Sequence, residues 1–298
     1  MNIHHTKHHF LVRSNFEPAL PPRAVDAHKG SNGSIAIIGG DTGMVGAVLL
    51  SSRAALLSGT GRVYAAMLSG EAPIVDILHP EIMMHSVSTL FQLSQLNCVV
   101  IGPGLGTSSR ALKLLELCLA KNVSLLLDAD ALNLIAVHPH LIDLVKQRTA
   151  ETIITPHPGE AARLLAISAA DVQKNRKKSA LKLAKTLHVT CVLKGAGSIC
   201  AHHDGSWFIN TTGNPGLASG GTGDVLSGII GSFLAQGLNT LEAAKLGVFV
   251  HGAAADLLVE RNIGPVGLTA SEIAEEVRHL INILNKVKQP LLNHSYQD

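Results

Sequence analysis

Six short runs along the chain are apolar almost throughout: SIAIIGG (34–40), RVYAAM (62–67), NCVVIG (97–102), SLLLDA (124–129), TIITP (152–156) and TCVLKG (190–195). Their length and branched side chains predict strands. Their lack of polar alternation predicts a sheet covered on both faces. Helix-period stretches lie between them at 46–58, 109–121, 158–166 and 174–188. This alternation predicts right-handed βαβ units and a mostly parallel sheet inside a three-layer α/β/α fold. SICAHHDGSWFIN (198–210) breaks the pattern, because two short strands flank Asp204-Gly205, a hairpin signal. It predicts an antiparallel edge. Helices are then expected over 224–236, 240–260 and 269–287, the last opening with Thr269 and Glu272 at capping-box spacing. With neither a long linker nor a repeat, residues 29–298 are expected to form one domain behind an extension at 1–28.

Composition narrows the classes. A chain of 298 residues with 46% hydrophobic and 15% charged content can bury a large core. No apolar run approaches the ~20 residues of a membrane span, and MNIHHTKHHF lacks the apolar centre of a secretory signal. A formal charge of +2 without a basic arm argues against a nucleic-acid partner. KNRKK (174–178) is expected on a solvated helix face. The cysteines at 98, 118, 191 and 200 form no CxxC pair, and two fall in strand runs, which predicts buried reduced thiols and a cytoplasmic protein. His4, His5, His8 and His9 have i, i+4 spacing on a polar terminus expected to fray, so no metal is assigned there.

In an open parallel sheet, ligands gather at the carboxyl ends of the strands. Five glycine-rich or polar segments follow strands here: GGDTGMVGA (39–47), GPGLGTS (102–108), DADALN (128–133), TPHPGE (155–160) and KGAGS (194–198). Each alone fits an ordinary turn; together they predict one functional rim. The first lacks the Gly-x-Gly-x-x-Gly spacing of a dinucleotide fold, which disfavours a nicotinamide redox enzyme. Gly104 and Gly106 fit either turns or close ligand approach. Asp128 fits the rim and Asp130 a helix cap. His157, held between prolines, fits a ligand-positioning group, whereas Glu160 fits a first-turn acid. Lys194 fits a solvated lysine or, with Gly195 and Gly197, a nucleotide turn.

One carboxylate stands out. In GNPGLASGGTGDVLSGII (213–230), Asp224 is the lone charge, at the start of an apolar helix. Helix-start amides around Gly221, Thr222 and Gly223 predict an anion hole suited to a phosphoryl group. A capping role for Asp224 needs no such run of glycines. Beside a bound phosphate it can instead take the proton of an attacking hydroxyl.

These residues carry a resemblance. GNPGLASGGTGDVLSGIIGSFLAQG resembles the signature of the ADP-dependent NAD(P)H-hydrate dehydratases of the ribokinase-like superfamily. GPGLG, LLLDADALN, ITPHPGE and LKGAGS follow that family's order, and the match runs from about Gly33 to the end. The resemblance implies repair of NADH or NADPH hydrated at C6. ADP phosphorylates the hydroxyl, phosphate is eliminated, AMP is released, and Mg²⁺ neutralises the phosphates. It also implies roles for single residues: Ala47, Gly106, His157 and Asp224 contact the hydrate. Lys194, Gly195, Ala196, Gly197, Ser198 and Gly223 contact the nucleotide, and Asp224 is the base. Metal ligands are not assigned. Met44, Val45 and Asp41 depart from the family's usual first loop. The resemblance further implies a homotetramer and a separate epimerase acting on the same hydrate. Two rivals share the site: a small-molecule kinase of the vitamin-precursor type, which would stop at a phosphorylated product, and a nucleotide sensor without turnover.

Overall fold

The computed structural model describes residues 9–17, 19–93 and 95–286. All six apolar runs form strands. β1 (Ser34–Gly39), β2 (Arg62–Met67), β3 (Met83–Met84), β4 (Cys98–Ile101), β5 (Ser124–Leu127), β6 (Thr152–Ile154) and β7 (Thr190–Leu193) are parallel. β8 (Ile199–Ala201) and β9 (Trp207–Ile209) form the antiparallel hairpin edge expected around Asp204-Gly205. The order across the sheet is β3-β2-β1-β4-β5-β6-β7-β8-β9.

Successive strand residues feed two separate cores. Ile35, Ile37, Val100 and Leu126 pack under α1 (Val45–Leu57), α9 (Thr222–Ala235), α10 (Thr240–Glu260) and α11 (Ala270–Lys286). Ala36, Ile38, Ile101 and Leu127 face the opposite layer. That layer holds the short α2 (Val87–Leu90), then α3 (Ser109–Leu119), α4 (Asp130–Val137), α5 (Pro139–Lys146), α6 (Pro158–Leu165), α7 (Ala169–Lys174) and α8 (Arg176–Leu187). Apolar residues on both strand faces are therefore required, which is why no alternation is visible in the sequence. α9 lies directly on α1: a methyl at Gly228 would stand 2.1 Å from the Ser51 carbonyl oxygen. This close seat fixes where the start of α9 meets the sheet.

Some expectations shift. The pattern over 174–188 is broken at Asn175 (φ −132°, ψ 44°), so α7 and α8 are separate helices. Arg176 then leaves the solvated face expected for the basic run and donates to three carbonyls at the end of β7 and in the loop after it. α9 begins at Thr222, two residues early, which puts Gly223 and Asp224 inside its first turn. β3 has only two residues and carried no strand signal. The capping box at Thr269 and Glu272 is present, with Thr269 N donating to Glu272 Oε2 at 2.9 Å.

The described part of the extension is docked where fraying was expected. His9 stacks on Trp207 at 4.0 Å, Leu11 N donates to Ile209 O at 3.0 Å, and Leu11 and Phe16 are buried. His4, His5 and His8 lie outside the described residues. All four cysteines are free and buried, and burial pushes each thiol up. No helix among the described residues is long and apolar enough to cross a membrane.

Candidate active site

The five strand-end loops lie on neighbouring strands, β1, β4, β5, β6 and β7, and so share one rim. The chain order reverses between β1 and β4, where such sheets open a crevice. Hydrogen bonds stitch the loops together. Asp41 N donates to Gly104 O at 2.7 Å, and Lys194 N donates to Pro156 O at 2.9 Å. Asp130 was expected to cap α4, but the N-cap is Ala129 without a side-chain bond. The Asp130 carboxylate instead accepts from Gly106 N at 2.9 Å and Asn133 Nδ2 at 3.2 Å, which ties two loops at the rim. Ala47, in the first turn of α1, is partly exposed beside Gly104, whose added methyl would stand 3.3 Å from its Cβ. Ala47 and Gly106 thus fall at the β1/β4 crevice.

The centre of the rim is charged and largely buried. Asp128 is 1% exposed at the end of β5. One of its oxygens accepts from Lys194 Nζ at 2.7 Å and the other from Ser227 Oγ at 2.6 Å. Lys194 is therefore not a solvated lysine. Burial alone would lower its ammonium, but Asp128 and Glu160 outweigh that and hold it above its ordinary value. Glu160 Oε2 stands 3.9 Å from Lys194 Nζ and accepts from His157 N at 2.7 Å. The first-turn role expected for Glu160 is real, but burial also pushes its carboxyl up to about 7. His157 caps α6 through Nδ1, which accepts from Gly159 N at 2.9 Å. Its Nε2 must then carry the proton, and it stands 3.2 Å from Glu160 Oε1. The ring is half exposed, and burial with the nearby Lys194 charge keeps it below the usual histidine range.

Asp224 borders this cluster. It is the third residue of α9 and only partly exposed. Burial, then the charge of Asp128, push its carboxyl up to about 7 against the opposing pull of Lys194. Gly221, at φ +88°, is the N-cap, a conformation that other residues adopt at a cost. It offers no side-chain cap, so the first amides of α9 are left for another acceptor. A methyl on Gly223 would stand 3.7 Å from Lys194 Nζ, so the ammonium lies against this first turn. Amides, helix dipole and one ammonium together make a positive cradle beside a carboxylate.

A cavity of about 530 Å³ opens next to the cradle, lined by Lys194–Ser198, Asn210–Pro215, Thr222, Gly223 and residues of α10. It brings together all six residues expected to contact the nucleotide. α10 braces its far wall: Asp256 accepts from Gly213 N at 2.8 Å and Asn214 Nδ2 at 3.0 Å, and Asn210 Nδ2 donates to Val248 O at 2.9 Å. His251 Nε2 donates to Thr222 O at 3.0 Å, and burial lowers the ring to about 4, so it stays neutral. Sequence reasoning passed over Ser227, Asp256 and His251, each set in an apolar helix whose partners are distant in the chain. Asn210 ends the hairpin run, the one local sign available for it. A larger hollow of about 640 Å³, between residues 20–23, the end of α1 and α11, touches none of the five loops.

The family model described as NAD(P)H-hydrate dehydratase matches residues 35–279. The chain is 40% identical to an ADP-dependent (S)-NAD(P)H-hydrate dehydratase of Neisseria meningitidis, over 91% of this chain and 92% of that one. It is 43% identical to a bifunctional NAD(P)H-hydrate repair enzyme of Coxiella burnetii, over 89% of this chain and 54% of the relative. It thus spans about half the length of the bifunctional relatives it matches. An ADP/ATP-dependent NAD(P)H-hydrate dehydratase of Bacillus subtilis, co-crystallised with ATP and Mg²⁺, superposes with a TM-score of 0.82 at 29% identity, covering 93% of this chain and 98% of that one. The architecture is that of the ribokinase-like fold.

Proposed function

The chain belongs to the NAD(P)H-hydrate dehydratase family, and we propose that it converts the C6-hydrated forms of NADH and NADPH back to the reduced cofactors with ADP as phosphoryl donor. One observation carries the reading: Asp224, with its carboxyl pushed up to about 7, stands in the first turn of α9 within the charge field of Lys194, next to Gly223, which lines the 530 Å³ cavity. Asp224 takes the proton of the C6 hydroxyl as its oxygen attacks the β-phosphorus, and AMP leaves. Charge on the transferring group falls to the amides of Gly221, Thr222 and Gly223. The C6–O bond then breaks with departure of phosphate, and loss of the neighbouring ring proton restores the double bond. Hydroxide is a poor leaving group and phosphate a good one, which is what the donor contributes.

Following the family resemblance, Ala47, Gly106 and His157 are assigned to the hydrate: Ala47 and Gly106 lie at the β1/β4 crevice, His157 caps α6 after β6, and none of the three lines the nucleotide cavity. Among the described residues, no group of three potential ligands could hold a metal ion. Mg²⁺ usually binds through one or two carboxylates plus phosphates, and no side chain is assigned to it here; bound phosphates would supply most of its contacts. Bound there, the ion would neutralise phosphate charge. We assign the protein to the cytoplasm, with an epimerase of the same hydrate as its pathway partner and a tetramer as its assembly.

Mixing the protein with hydrate, ADP and Mg²⁺ and following the reduced-nicotinamide absorbance tests the reading. Recovery of that band with one AMP per cofactor is expected. A stable phosphorylated product without the band would favour a small-molecule kinase, and nucleotide binding with no turnover a sensor.

A further inference from the structure

In the loop Lys194–Ser198 most carbonyls are engaged by side chains, and the amides of 195–198 are not engaged among the described residues. Arg176, the first residue of α8, reaches across and donates to Leu193 O at 3.2 Å, Lys194 O at 3.3 Å and Gly197 O at 3.2 Å. Gln173 Oε1 accepts from the same guanidinium at 3.1 Å, and Ser198 Oγ donates to Gly195 O at 3.1 Å. Four carbonyls of the stretch 193–197 are thereby engaged. The amides of Gly195, Ala196, Gly197 and Ser198 donate to no partner among the described residues, and these four residues line the 530 Å³ cavity. Gly195 shows how tight the arrangement is. At φ +129° a side chain is strained, and a methyl would stand 2.9 Å from Arg176 Nη1.

We propose that Arg176 is the positioning residue for the nucleotide. By gathering carbonyls of the loop, it presents the amides of residues 195–198 to the phosphates of the adenine nucleotide. The helix break at Asn175 makes this possible, since a continuous α7–α8 helix would direct residue 176 elsewhere. The planar guanidinium spans three carbonyls at once, which a single ammonium cannot do. The inference rests on the nucleotide reading of this cavity and adds a residue outside the five loops.

Calorimetric titration with ADP, on the whole chain and on the Arg176→Met and Arg176→Lys variants, tests it. Several charge-assisted hydrogen bonds are lost together in Arg176→Met, so the Kd for ADP is expected to rise at least tenfold. The hydrate KM at saturating ADP should stay within twofold and the thermal midpoint within a few degrees. Arg176→Lys is expected to recover only part of the affinity. Low-millimolar ethylguanidinium should restore ADP binding to Arg176→Met and leave the unaltered chain unchanged. Hydrogen exchange at residues 195–198 should be slowed by ADP in the unaltered chain and far less in Arg176→Met. Wild-type ADP affinity in Arg176→Met would overturn the inference. So would a parallel loss of ADP affinity, hydrate affinity and stability that ethylguanidinium does not relieve. Failure of the unaltered chain to bind ADP would instead sink the nucleotide reading itself.

Discussion

At the scale of single residues, the site depends on carboxyls held at the edge of ionisation. Asp224 and Glu160 are both pushed up to about 7, chiefly by burial and further by the charge of Asp128. A base must be ionised to work, so kcat/KM is expected to fall about tenfold per pH unit below about 7 and to level off above it. Glu160→Gln should keep this acid limb and Asp224→Asn should abolish it; the opposite pattern would transfer the base role to Glu160. Stability runs the other way. A carboxyl raised above its unfolded value binds its proton more tightly when folded, so its contribution is complete at about pH 4 and is lost as pH rises through 7. Asp224→Asn is therefore expected to raise the thermal midpoint at pH 8, and an unchanged or lower midpoint would count against burial as the cause. Lys194 is the counterweight. Replacing it with Met leaves Asp128 buried without its cation, at a cost of about 3–5 kcal/mol. Chemical denaturation should show that loss, and adding Asp128→Asn should recover much of it.

Among elements, α9 is the one whose placement decides the chemistry. It touches α1 closely because Gly228 has no side chain, and Gly231 lies against Val100 and Ile35 of the sheet. Gly228→Ala forces a methyl into the Ser51 carbonyl, so the helices must part; a loss of about 1–3 kcal/mol is expected. The same shift moves Gly223 and Asp224, so kcat should fall even at temperatures where the variant is folded. Full activity in a destabilised Gly228→Ala would separate the seat from the site. The elements that could be read from the sequence are those with a strong local signal: apolar strands, the Asp204-Gly205 hairpin and the capping box at Thr269. β3 escaped because two paired residues carry no pattern, and the α7–α8 break because a basic run looks helical across Asn175. Arg176 was misplaced with it, since its carbonyl partners lie up to 21 positions away in the chain.

For the molecule as a whole, the glycine loops were legible because backbone approach demands small residues locally, while their bracing was not. Asp256, His251 and Ser227 act across 29 to 99 positions and leave no sign beside themselves. The surface carries a further feature. Ile74 and Ile77 are 94% and 87% exposed, yet Asp76 between them is buried and held by Arg53 at 2.7 and 2.8 Å. The loop is thus anchored while presenting large apolar groups to solvent, which suits the proposed tetramer. Ile77→Asp is expected to lower the mass measured by light scattering toward one chain; an unchanged mass would remove this loop from the assembly.

The claim on which the rest depends is that Asp224 activates the hydroxyl while the start of α9 holds the phosphoryl group. Turnover of the hydrate and ADP affinity, measured on the same preparation of Asp224→Asn, test it most directly. Turnover lower by about three decades or more with the Kd for ADP within threefold is the expected result. Turnover near that of the unaltered chain would contradict it.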